Sequence, residues 1–127
     1  MFRNIFVENL VSRNARRALL FNGLPEMNIS NIRLKNAFIT AEIGAEISES
    51  TDIVFENVTV IPDDGPAYIL NNVKNFTADK LMFNNAKPQN AIQIKGRNSA
   101  SIELPSFEQQ NVVEINTEVD RNEVKFN

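Results

Sequence analysis

The sequence predicts an all-β chain, a right-handed parallel β-helix (solenoid) of about four to five coils. Three observations carry the prediction. First, a short phrase of alternating apolar residues broken by Asn recurs: Asn4-Ile5-Phe6-Val7-Glu8-Asn9-Leu10-Val11, Asn31-Ile32-Arg33-Leu34-Lys35-Asn36-Ala37-Phe38-Ile39, and Asp52-Ile53-Val54-Phe55-Glu56-Asn57-Val58-Thr59-Val60. A looser copy, Asn75-Phe76-Thr77-Ala78-Asp79-Lys80-Leu81-Met82-Phe83, has Lys80 where Asn would stand. Strict alternation over short runs is the strand signal, and Asn between two alternating pairs marks a corner. Second, Ile5, Ile32, Ile53 and Phe76 stand 27, 21 and 23 residues apart, a solenoid period. Third, a second phrase opening on Ala18, Ala45, Ala67 or Ala91 follows each copy after 13 to 15 residues. Leucine-rich repeats share the period, but their Leu-x-x-Leu-x-Leu frame does not fit.

Taken in order, Phe2 to Val11 supply the first two strands of coil one. Ser12 to Arg17 is a basic connection into the Ala18–Asn22 strand, and Gly23-Leu24-Pro25-Glu26 is a turn. Coil two runs from Met27 to about Glu49, with Gly44 in its loop. Coil three runs from Ser50 to Asn72, with Ile61-Pro62-Asp63-Asp64-Gly65-Pro66 as its loop. Coil four covers Val73 to about Asn98. The chain is one domain, 1–127, with regular coils over 1–98 and an irregular last coil and cap over 99–127. There, Ile102-Glu103-Leu104 and Val112-Val113-Glu114-Ile115 are candidate strands, and Val119, Val124 and Phe126 a final edge.

Adjacent coils of such a stack lie roughly 4.8 Å apart, so equivalent residues form columns. Ile5, Ile32, Ile53 and Phe76 form one, and Val7, Leu34, Phe55 and Ala78 a second. Ala18, Ala45, Ala67 and Ala91 form a third, where small residues let the wall bend inward. Asn9, Asn36 and Asn57 form an inward amide ladder, and Glu8, Lys35 and Glu56 an outer column of alternating charge.

Composition narrows the chemistry. At 43% hydrophobic residues the chain can bury a core. There is no Cys and no His, which removes disulfides, thiolate nucleophiles, the serine-triad arrangement and most transition-metal sites. No metal or other cofactor is expected. The net charge of −3 gives no reason to expect nucleic acid, and no apolar run approaches membrane-spanning length. The start Met1-Phe2-Arg3-Asn4-Ile5 carries no signal-peptide pattern and enters a strand at once, which reads as a chain cut within a longer solenoid. The localisation of this chain is unknown from its sequence.

The run Phe2-Arg3-Asn4-Ile5 through Asn22-Gly23-Leu24-Pro25-Glu26-Met27, with the Asn31-Ile32 and Asp52-Ile53 copies, resembles the C-terminal coils of polygalacturonase-type glycoside hydrolases, family twenty-eight. The closest likeness is to pectin-degrading enzymes of Bacteroides-like bacteria. Ala15-Arg16-Arg17-Ala18-Leu19-Leu20-Phe21-Asn22-Gly23-Leu24-Pro25-Glu26-Met27 is the most specific part, and the likeness fades after about Asn98. The resemblance implies a right-handed parallel β-helix, inverting hydrolysis of galacturonan, and a periplasmic or secreted parent enzyme. The family's catalytic signature of Asn-Thr-Asp, Asp-Asp, Gly-His-Gly and Arg-Ile-Lys belongs to coils upstream of these. Asp63-Asp64 sits in a Pro-flanked stretch that reads as a turn, and Ile94-Lys95-Gly96-Arg97 echoes the last motif faintly, with Gln93 in the Arg position. No catalytic residue carries over, so the chain is expected to be inactive alone.

Inverting glycosidases need two carboxyl groups about 6.5–9.5 Å apart, whereas Glu8, Glu56, Asp79 and Glu103 read as a solvated outer face. The candidate substrate-binding residues are Arg13, Arg16 and Arg17. Arginine forks bind carboxylates bidentately, and galacturonate carries one per sugar. The competing role for them is pairing with Glu26 or Glu42. Three functions follow: the C-terminal part of a pectin-degrading hydrolase, a non-catalytic module binding acidic polysaccharide, or a purely structural solenoid end. Asn28-Ile29-Ser30, Asn57-Val58-Thr59 and Asn75-Phe76-Thr77 match the glycosylation pattern, although an inward Asn57 makes its match accidental. Self-association through the N-terminal coil is also expected, because an open strand edge templates pairing and Ile5, Val7, Leu10 and Leu20 would face out of its end.

Overall fold

The computed structural model describes residues 3–17, 20–22, 29–83, 91–104 and 113–126. It is a parallel β-solenoid of about four coils. β1 (Arg3–Arg17) and β2 (Leu20–Asn22) belong to coil one. β3 (Ile29–Ala78) winds through coils two and three and into coil four. β4 (Leu81–Met82), β5 (Ile92–Lys95), β6 (Ala100–Leu104), β7 (Val113–Ile115) and β8 (Val124–Phe126) complete the described strands. Every pairing between them is parallel, with β1, β2, β4, β5 and β6 on β3, then β7 on β5 and β8 on β6.

A strand as long as β3 is possible because its corners are single residues in the left-handed region. Asn9, Asn36 and Asn57 have φ of 60°, 55° and 56°. A second corner column holds Asn31, Asp52, Asn75 and Ser101, at φ between 54° and 61°. A third holds Glu49 at 50° and Asn72 at 53°, followed by Gly96 at 95°. Asn tolerates this conformation better than other residues with a Cβ, and its short amide bonds to neighbouring polar groups. Each corner turns the chain without breaking the ladder on either side.

Side chains at these corners tie coil to coil and set the register. Asn36 Nδ2 donates to Asn9 Oδ1 at 3.3 Å, 27 residues back, and Asn57 Nδ2 to Asn36 Oδ1 at 3.0 Å, 21 residues back. Asn75 Nδ2 donates to Asp52 Oδ1 at 2.9 Å across 23 residues, and Asn72 Nδ2 to Glu49 Oε1 at 2.7 Å across the same interval. At the far end, Glu118 Oε1 accepts from the Gly96 amide at 2.8 Å and Glu123 Oε2 from the Ser101 amide at 3.0 Å. Carboxylates thus close two of the three columns. The Asn9–Asn36–Asn57 ladder lies on the solvent side and not inward as the sequence suggested. A left-handed corner bends the backbone toward the core, so its Cβ projects from the convex side.

The core is what the columns predicted. Ile5 pairs with Ile32 and Val7 with Leu34. Ile32, Ile53 and Phe76 are buried, as are Leu34, Phe55 and Ala78, and Ile102 and Leu104 extend the two columns into β6. Burying each Ile, Leu or Phe contributes about 1.5–3 kcal/mol, the main term holding the coils together. Phe55 and Phe76 meet edge to face, ring centroids 5.2 Å apart at 70°, the geometry aromatic quadrupoles prefer. Two buried serine hydroxyls find backbone partners. Ser50 Oγ donates to Ser48 O at 2.9 Å, and Ser99 Oγ donates to Lys95 O at 2.7 Å while accepting from the Val73 amide at 3.3 Å.

The small-residue column differs by one position from the alignment of alanines. The Glu49–Asn72 bond sets a step of 23, which puts Gly44 beside Ala67 and Ala45 beside Tyr68. Gly44 accordingly lies against the Pro66 and Ala67 carbonyls, and Tyr68 pairs with Ile92, one residue after Ala67 and Ala91. Ala45 is fully buried at its position. In coil one a bulge between Ser12 and Ala15 shifts the pairing, so that Leu20 stands opposite Glu46. Ala18 lies outside the described residues.

Three places read as connections are strand. Ser12–Arg17 lies in β1, and Gly44 and Ile61–Pro66 lie in β3. An extended neighbour on the adjacent coil supplies backbone partners that local turn propensity does not register.

Tyr68, the single tyrosine, is buried, and its hydroxyl spans two coils, 3.1 Å from Val58 O and 3.0 Å from Met82 O. One phenolic proton serves both carbonyls. Tyr68→Phe is expected to cost about 1–3 kcal/mol in a denaturant melt, the penalty for leaving buried acceptors unmatched. Burial also pushes the phenol's pKa well above its ordinary value of 10.0. A raised folded-state value means that this stability is present below about pH 10 and is lost as pH climbs and the unfolded chain ionises. The melting midpoint should therefore fall in alkali more steeply in the native chain than in Tyr68→Phe. The near-UV phenolate absorbance should stay silent until unfolding.

Candidate functional site

The candidate arginines all lie on β1, and the bulge decides where they point. Val11 pairs with Phe38 and Ser12 with Ile39, and after the bulge Ala15 pairs with Ala41 and Arg17 with Ile43. Ile39 and Ala41 are buried, so Ser12 and Ala15 sit over the inward face of coil two. One residue between them would preserve alternation, but there are two, Arg13 and Asn14. The extra residue is Asn14, at φ 58° with its amide donating to Thr40 Oγ1 at 3.0 Å. A bulge is the device that absorbs such an insertion. Arg13 and Arg16 are consequently both exposed on the outer face although only two residues, Asn14 and Ala15, lie between them.

Arg17 is engaged differently. Its Nη1 lies 3.7 Å from Glu46 Oε2, each side chain about two-fifths to one-third exposed (40% and 35%). The sequence proposed Glu26 or Glu42 as partners. Glu42 stands opposite Arg16 in register but forms no ion pair with any of the three arginines, and Glu26 lies outside the described residues. Such an exposed pair is worth little, roughly 0–1 kcal/mol. Arg13 and Arg16 have no ion-pair partner among the described residues.

The remaining candidates separate from this cluster. Glu8 and Lys35 are in register, with no ion pair between them. Asp63 is exposed within β3, and Gly96 of the Ile94–Arg97 echo forms a corner above Asn72. Asn57 and Asn75 of the glycosylation patterns both use their amide nitrogens as ladder donors. Asn28 lies outside the described residues. Among the described residues no group of three or more acidic side chains is placed to hold a metal ion. A niche lined by Gln93, Ile94, Lys95, Glu114 and Asn116 holds only about 20 Å³, room for a water and not for a sugar.

One feature of this face had no signal in the sequence. Val11, Phe38 and Met82 are large apolar residues exposed at 63%, 38% and 41%. The β1–β3 register joins the first two, and the β3–β4 register joins Thr59 to Met82. The 21-residue step of the Asn36–Asn57 bond puts Thr59 beside Phe38. The four form one outer column across four coils. An alternation rule marks these positions as solvent-facing, and only the register stacks them.

Comparison with protein-family models, curated proteins and solved structures finds no match.

Proposed function

We propose that this chain forms the C-terminal coils of a pectin-degrading glycoside hydrolase, and that these coils hold the acidic polysaccharide without cleaving it. The observation that carries the reading is the pair Arg13 and Arg16, exposed on one face with no ion-pair partner among the described residues. Guanidinium forks in that state are available to carboxylates. The resemblance of Ala15–Met27 to polygalacturonase-type coils supports the substrate class. The lack of that family's Asn-Thr-Asp and Gly-His-Gly motifs from the chain is why cleavage is assigned to residues outside it.

Titration with oligogalacturonate tests the proposal. Arg16→Ala should weaken binding by about tenfold or more, the scale of a charge-assisted hydrogen bond. Arg17→Ala should weaken it less, because Arg17 is already engaged with Glu46. Added salt should weaken binding in every form, since these charges are exposed. A chain that binds no oligogalacturonate would leave the purely structural role. Release of reducing ends by the purified chain would overturn the assignment of cleavage to residues outside it.

A further inference from the structure

The outer column beside the arginines has chemistry that polysaccharide binding by charge alone does not use. We propose that Phe38, flanked by Val11, is a stacking platform that makes this face select a uronate-bearing sugar chain over other polyanions. Arg13 and Arg16 are its carboxylate forks. The inference rests on the reading that this face binds acidic polysaccharide, and it adds what confers selectivity.

Three observations place the platform. Phe38 and Val11 are register partners on adjacent coils, roughly 4.8 Å apart, both exposed on the outer face. Arg13 lies two residues beyond Val11, about 6.6 Å along the strand at the usual rise, within reach of an extended arginine side chain. Thr40, two residues beyond Phe38, accepts from the Asn14 amide through Oγ1, which leaves its hydroxyl proton free to donate. Apolar surface, a hydroxyl donor and two guanidinium forks therefore meet on two neighbouring coils.

A pyranose uronate presents complementary groups. Its ring carries an apolar C–H face, its rim carries hydroxyls, and its carboxylate projects from one edge. The C–H face covers Phe38 and Val11, the rim meets Thr40, and the carboxylate reaches Arg13, with the next residue's carboxylate on Arg16. An inorganic polyanion can use the arginines but gains nothing from Phe38.

The test is calorimetric titration of the native chain, Phe38→Ala, Phe38→Tyr and Arg13→Ala with oligogalacturonate and with tripolyphosphate. Phe38→Ala should weaken oligogalacturonate about tenfold, the scale of an aromatic contact plus its buried area, and leave tripolyphosphate unchanged. Phe38→Tyr should retain native affinity for both. Arg13→Ala should weaken both ligands. Thermal melts of each variant establish that the fold is kept, as an exposed position allows. The platform is overturned if Phe38→Ala binds oligogalacturonate like the native chain, or loses both ligands equally. If the native chain binds tripolyphosphate but not oligogalacturonate, the polysaccharide reading falls and the platform with it. If Arg13→Ala loses oligogalacturonate while Phe38→Ala does not, the platform alone falls.

Discussion

Replacing Gly44 with alanine is expected to force coils two and three apart. A Cβ at this position would overlap the carbonyl oxygens of Pro66 and Ala67 and come within 2.8 Å of the Ala67 carbonyl carbon. These are backbone atoms in the next coil, so no rotamer change relieves the overlap. The nearest relief is a shift of the pairing itself, which disturbs the Tyr68–Ile92 register just beyond it. Overpacking of this kind costs about 1–3 kcal/mol where side chains can adapt, and more where only backbone can move. Against a total stability of roughly 5–15 kcal/mol, that is a large fraction. Chemical denaturation should show a much lower midpoint for Gly44→Ala, while Ala45→Gly, one position away, should shift it far less. Equal midpoints for the native chain and Gly44→Ala would mean that the coils are not held in this close approach.

Phe55→Ala should have a comparable effect by the opposite route, an emptied core. Phe55 is fully buried and stacks in the column of Leu34, Ala78 and Leu104. Ala78 is small, so the coil above offers no bulk to fill the gap, and the neighbour that fixes the ring is Phe76 at 5.2 Å. Truncation loses the transfer energy of the ring, leaves a cavity and abolishes the edge-to-face contact, together about 3–5 kcal/mol. Phe55→Leu should recover part of this by filling the column. Because each coil contacts only its neighbours, the damage should centre on coils two to four. Hydrogen exchange should accelerate first at residues of β3 around Val54 to Val58, and uniform acceleration along the whole chain would contradict a nearest-neighbour solenoid.

The solenoid and its principal columns were legible because their signals are local and repeated. Ile32, Ile53 and Phe76 announce an inward face through alternation, and each copy reinforces the others. The Asn corners were legible for the same reason, since few side chains tolerate a left-handed turn. The arginines could be picked out as candidates by type, because three of them fall within five residues and a guanidinium fork matches a carboxylate.

What tertiary structure alone decided is register. The bulge at Arg13–Asn14 sets which arginines face out, and it follows from pairing between β1 and β3 and not from either strand's sequence. Gly44, rather than Ala45, occupies the close approach because the Glu49–Asn72 bond fixes a 23-residue step there, whereas the Asn36–Asn57 bond fixes 21. Arg17 meets Glu46, and Val11 stacks on Phe38, through the same accumulated offsets. A side chain's inward or outward direction depends on its immediate neighbours, so the sequence by itself determines it. Which residue of the next coil it touches depends on every insertion and bulge in the intervening turn, and only packing of the whole turn resolves those.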